Sequence, residues 1–290
     1  MVTVGSIWGE TLRFVRANLI PAAAWSAIIF ALGLVSMLIS APFYQTQLAV
    51  TQGGNAQMPV SSGFFLSILL TLGVLVILWA AAFRAVLFPE QKSFFYLRLG
   101  VDELRLLGTV IVVFLGGYLA ATVASVIVTM VVVLLGRLVL GDLGAGLAAI
   151  VSLIAIFCVI LWAGVRISPC GPLTLYRKQV VIGPAWRLTR GAFWRLLGAY
   201  LLLAVALILI YLVLFAAQFG AASVDWAHPE SVMRNIQGAQ ASASIGHRTL
   251  NAALAGVVGG LALAFHAGMT AIVTRQLLGL RDTGLGEVFK

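Results

Sequence analysis

The sequence predicts an all-α fold, a polytopic transmembrane helical bundle with six spans. Three observations predict it. Apolar residues make up 62% of the 290 residues and charged residues 9%, against roughly 45–50% and 25% in soluble domains. That leaves too little charge to coat a soluble surface. The apolar residues fall in unbroken runs of about the 20 residues a helix needs to cross the hydrocarbon core. The basic residues, finally, lie overwhelmingly on one side of those runs. The same composition excludes a disordered chain. Run length excludes an outer-membrane barrel, whose strands read as short alternating segments.

The chain opens on an amphipathic helix in which Trp8, Leu12, Val15 and Leu19 recur at helical spacing, with Glu10 and Arg13 elsewhere on the turn. The first span follows at Leu19–Ala41. Its apolar run exceeds the roughly 7–15 residues of a signal-peptide core, so it is expected to be retained. An uncharged loop, Pro42–Gly63, leads to the second span, Phe64–Phe88. A second amphipathic segment places Phe94, Leu97, Val101 and Leu104 on one stripe, with Lys92, Asp102 and Glu103 off it. Spans three and four are Leu106–Leu135, long enough to tilt, and Leu143–Val165. The third amphipathic segment, Ala185–Arg195, sets Trp186 and Trp194 among Arg187, Arg190 and Arg195. Leu196–Phe219 and Leu250–Thr274 complete the six.

The pattern of amphipathic helix, span, span divides a single membrane domain, 1–290, into units 5–88, 92–167 and 176–275 with a cytoplasmic tail, 276–290. The units close near Arg84, Arg166 and Arg275, and Arg105-Leu106-Leu107-Gly108 returns as Arg195-Leu196-Leu197-Gly198. Two-span units would be parallel repeats. Short loops between spans in any chain with a cytoplasmic start produce a similar alternation, so both origins stay open.

Six spans put fifteen of the eighteen basic residues on one side and leave Arg137, Arg234 and Arg248 on the other. By the positive-inside rule both termini are cytoplasmic. Six of the nine acids share that side, so the whole net charge of +9 sits there. Anionic headgroups account for such a stripe. Nucleic acid would need a separate basic domain, and none is present. Trp8, Arg13, Arg16, Arg98, Arg105, Trp186, Arg187, Arg190, Trp194 and Arg195 are the expected interfacial lipid contacts, lying flat with basic side chains reaching the headgroups.

No Asp or Glu falls inside a span, which counts against ion-coupled transport, where buried carboxylates do the work. His266 is the one ionisable residue deep in a span. It reads as a relay or ligand group, or as a neutral histidine bonded to a neighbouring helix. No His-Glu-x-x-His pattern occurs, and Asp225, His228 and Glu230 read as a solvated loop rather than a metal site. No catalytic set, metal or cofactor is expected. Cys158 and Cys170 lie twelve residues apart, about 18 Å along a helix, beyond disulfide reach. The sharpest pattern is in the sixth span, where Ala252, Gly256, Gly260, Ala264 and Gly268 recur every four residues. Small residues at this spacing let helix backbones approach closely, either within the bundle or against a partner helix or second copy.

Pro172-Leu173-Thr174-Leu175 followed by Ala185-Trp186-Arg187-Leu188-Thr189-Arg190-Gly191-Ala192-Phe193-Trp194-Arg195-Leu196-Leu197-Gly198 resembles a stretch of a bacterial six-helix family. That family comprises membrane proteins grouped with the membrane domain of glycerophosphodiester phosphodiesterases. Arg98-Leu99-Gly100 with Glu103-Leu104-Arg105 fits it as well. The resemblance implies a multi-pass protein of the bacterial inner membrane and brings no catalytic residues, because the phosphodiesterase chemistry belongs to a separate soluble barrel. His247-Arg248 is similar to that enzyme's His-Arg pair, but Thr249 stands where its glycine would be and no acids follow. The expected function is therefore non-enzymatic, organising or assisting a membrane complex or a lipid process. The alternative is a transporter or flippase for a lipid or amphiphile, with a cleft lined by Thr109, Thr122, Ser125, Asn251 and His266. A third reading is a lipid-modifying enzyme using His266.

Overall fold

A computed structural model describes residues 3–51, 62–91, 94–219 and 245–280. Among these, every regular element is helical: α1 (Val4–Ala17), α2 (Leu19–Thr51), α3 (Ser62–Leu87), a 3-10 turn (Phe94–Tyr96), α4 (Val101–Ile167), α5 (Cys170–Arg177), α6 (Gly183–Leu188), α7 (Phe193–Phe219) and α8 (Ile245–Leu277). Five stretches are long and apolar enough to cross a membrane: Leu19–Ile39, Phe65–Leu87, Phe94–Arg177, Phe193–Ala216 and Gly246–Leu277. Backbone groups in hydrocarbon must be satisfied within the segment, which helices do. The chain is an α-helical, membrane-embedded protein. The loop residues Asp225, His228, Glu230 and Arg234, with Lys92 and the tail from Arg281, lie outside the described residues.

By contact the chain divides into two compact units, one of Gly9–Arg98 and Leu201–Met269, the other of Met1–Trp8, Leu99–Tyr200 and Thr270–Lys290. In the first, α2 and α3 run antiparallel. The start of α3 meets α2 where Gly63 approaches the Ile39 carbonyl, twelve residues before the end of α2. At the other end of α3, Trp25 and Arg84 both reach the Phe94–Tyr96 turn. Trp25, Phe83 and Leu78 fill the core beside the alanine run Ala80, Ala81 and Ala82.

α8 packs on α2 in an antiparallel register. Gly33 lies opposite Ala252, Phe30 opposite Gly256, and Ser26 opposite Gly260; Gly268 then meets Phe14 of α1. A side chain built on Gly256 would start 2.7 Å from the Phe30 Cβ. The small-residue stripe is therefore the seam between α8 and the first two helices of the same chain. Close backbone approach supplies packing where no hydrophobic drive between helices exists.

In the second unit, α4 is 67 residues long and only Leu140 (φ −128°, ψ 15°) and Gly141 (φ 64°, ψ −143°) depart from helical geometry. The chain folds back on itself there. Gly136 and Gly144, eight positions apart, bring their backbones into contact, and a Cβ at Gly136 would lie 2.8 Å from that of Ala148. In a straight helix eight residues would span about 12 Å. The left-handed φ of Gly141 is one that glycine adopts without steric cost. Arg137 and Asp142 pair across the turn at 3.4 Å. Beyond α4, Cys170, Leu173, Val181 and Ala185 form a small core with Ile167, Ile182 and Leu278 packed on it. The thiols of Cys158 and Cys170 are both free.

Two of the three expected amphipathic helices take another form. The Phe94–Leu104 segment is not a helix of its own: Phe95 and Tyr96 sit at positive φ, 57° and 63°, and α4 begins only at Val101. The cause is tertiary, since the twisted backbone aims the Phe95 carbonyl at the Trp25 indole N–H (3.3 Å) and the Tyr96 carbonyl at Arg84 Nη1 (3.4 Å). The Ala185–Arg195 segment is interrupted by Gly191 at φ 89°. In α1 the helix forms, but Ile7, Thr11 and Val15 carry the buried face while Leu12 and Leu19 remain exposed. Threonine can bond its hydroxyl back to its own helix, so it packs where an apolar count overlooks it.

Candidate functional site

The expected interfacial residues fall into two groups. Arg13, Arg16, Arg98, Arg187, Arg190, Trp194 and Arg195 are exposed. Arg105 is part-buried and paired with Asp102 at 3.0 Å. Trp8 departs from a purely lipid-facing role, because its indole N–H donates to the Ala199 carbonyl at 3.3 Å. Trp186 is half-buried, for a reason set by Arg166.

The arginines that close the first two sequence units have different environments. Arg84 is buried and donates to the Tyr96 carbonyl. Arg166, near the end of α4, has its guanidinium carbon 5.8 Å from each of three ring centroids, those of Trp162, Trp186 and Phe193. Trp162 and Trp186 meet edge to face at 4.9 Å. The Thr189 hydroxyl donates to the Arg166 carbonyl at 3.4 Å and to the Trp186 carbonyl at 3.0 Å. Three chain segments thus enclose one cation. No sequence spacing announces this cage, since one ring comes from the preceding helical turn and two from 20 and 27 positions on.

His266 packs its ring against Trp79, centroids 5.1 Å apart and tilted by 53°. Among the described residues no group of three or more His, Cys, Asp or Glu side chains could hold a metal ion. The Thr109 hydroxyl bonds back to the Arg105 carbonyl (2.9 Å) and meets the Thr174 hydroxyl (3.2 Å), both side chains buried. Thr122 is exposed, and its carbonyl accepts from the Ser125 hydroxyl at 2.8 Å.

Two grooves open in the first unit. One of about 420 Å³ follows α2 and α8 and is lined almost wholly by apolar groups, among them Ala23, Phe30 and Val257. The other, of about 560 Å³, lies between α2 and α3 and carries hydroxyls, with Ser36, Ser67 and Thr71 set among Met37, Ile68 and Leu75. Ser26, Thr71, Ser152 and Thr274 each donate to the carbonyl one turn back. The buried Ser36 hydroxyl makes no such bond. Neither groove is lined by the residues expected from sequence to form a cleft. A spacing signal for the α4 hairpin was present, however: Gly144, Ala148 and Ser152 recur every four residues, and all three are buried.

Comparison with protein-family models, curated proteins and solved structures finds no match to this chain.

Proposed function

We propose that the protein is a six-span integral protein of a bacterial inner membrane, with both termini on the basic, cytoplasmic face, and that it organises or assists a membrane complex or lipid process without catalysing a reaction. The membrane assignment draws on the resemblance of the Pro172–Gly198 stretch. The reversal at Leu140–Gly141 supports six passes, because it divides the long Phe94–Arg177 candidate into two arms. An even number of passes returns the chain to its starting side, and with six of them fifteen of the eighteen basic residues share one face, in keeping with the positive-inside rule.

The observation that carries the functional reading is the surface of α4. Between Val110 and Gly164 its buried positions are Gly144, Ala148 and Ser152, where the arms meet. Bulky side chains point outward on both arms, with Phe114, Met130 and Leu143 each 72% exposed. A hairpin held together by small residues and covered with large apolar ones is built to be surrounded, by lipid or by another membrane helix. The hydroxyl-bearing groove between α2 and α3 favours a second reading, movement of a lipid or amphiphile along it.

Extraction of the full chain in native-lipid discs separates the two. A membrane protein retained at fixed stoichiometry is the expected result. A single amphiphile enriched without any protein, and released when Ser36 and Thr71 are replaced by Val, would favour transport.

A further inference from the structure

Arg166 is enclosed by aromatic rings, yet it pairs with no carboxylate among the described residues, and its buried Nε makes no hydrogen bond. Ring faces attract a cation and fix the plane of a guanidinium, but they bring no anion and accept no strong hydrogen bond. The sequence around it supplies none either. From Leu143 to Val224 the chain carries Arg166, Arg177, Lys178, Arg187, Arg190 and Arg195 and not one acid. Arg187 and Arg190 are exposed, one and four positions beyond the Trp186 of the cage. Neutralising charge therefore has to come from outside this stretch of the protein.

We propose that the Arg166 cage binds the phosphate of an anionic phospholipid. The guanidinium, oriented by Trp162, Trp186 and Phe193, donates to the phosphodiester oxygens in the two-pronged geometry that suits arginine better than lysine. Arg187 and Arg190 add charge beside it. The indoles, apolar with one polar edge, line the site at the level of the glycerol backbone, where tryptophan is favoured. The proposal rests on the membrane reading above, in that α4 must end at a bilayer surface.

The test uses the full chain in nanodiscs of zwitterionic lipid with phosphatidylglycerol as the minor component. Native mass spectrometry counts the phosphatidylglycerol retained on the protein. The wild type is expected to retain it, Arg166→Gln to weaken retention about tenfold, as loss of a charge-assisted bond implies, and Arg166→Lys to fall between the two. Undiminished retention by Arg166→Gln overturns the proposal. Inorganic phosphate that displaces the lipid at micromolar concentration also overturns it, because the site would then serve a free anion. A photoreactive phosphatidylglycerol with its probe beside the phosphate needs no variant: crosslinks on residues 162–193 support the site, and crosslinks confined elsewhere refute it. Failure of the membrane reading itself would be seen earlier, as a chain that does not enter discs at all.

Discussion

Replacing Gly260 with Ile is expected to destabilise the protein by about 3 kcal/mol, the upper end of what overpacking usually costs. The reason lies in what the new side chain meets. A Cβ at Gly260 falls on the Ser26 side chain and 2.7 Å from the Ser26 Cα, so α2 itself has to move. Ser26 has little room to give, since its hydroxyl is fastened to the Ala22 carbonyl at 2.9 Å. Isoleucine in a helix keeps essentially one χ1 rotamer and cannot turn away. Leu261→Ile, one position round the helix at a site 38% exposed, should change stability by no more than about 0.5 kcal/mol. Thermal unfolding in detergent, followed by loss of the monodisperse peak, reads both. A Gly260→Ile variant that melts with the wild type would show that α8 does not seat against α2.

The second large effect is expected at Gly144. Its substitution by Ile would drive a Cβ into the Gly136 carbonyl, and that atom would also lie 2.7 Å from the Leu140 Cβ. No rotamer relieves this, because the Cβ itself collides, and the two arms of α4 must part. A loss of about 3 kcal/mol should accompany protease cleavage near Leu140–Asp142 that the wild type resists. Gly146 provides the control in the same arm, with nothing within 4 Å of its Cβ position. Gly146→Ile should be neutral or slightly favourable, given glycine's poor helix propensity. Equal behaviour of the two variants would dissolve the hairpin.

Much of the helical layout could be read from the chain. Spans require long apolar runs, and those runs are legible without any partner. The interruption expected between Leu135 and Leu143 falls where Leu140 and Gly141 break α4. The α8 stripe was visible because it repeats five times, although its occupant, α2, was not. The same spacing in Gly144, Ala148 and Ser152 is hidden because Ala145, Gly146 and Ala149 beside it are small as well. Tertiary causes account for the rest. An apolar stripe over Phe94–Leu104 fits a helix, but hydrogen bonds from Trp25 and Arg84 hold the turn in another conformation. The Arg166 cage draws on positions 162, 186 and 193, which only folding brings together.

Six passes with a hairpin in α4 make one demand that a single labelling experiment can check. In a background with Cys158 and Cys170 replaced by Ala, Leu140→Cys puts a thiol at the turn and Lys290→Cys puts one at the C-terminal end. A membrane-impermeant maleimide applied to spheroplasts should modify the Leu140→Cys variant at once and the Lys290→Cys variant only after permeabilisation. Labelling of both from the same side would contradict the six-span arrangement, and with it the assignment of the basic face to the cytoplasm.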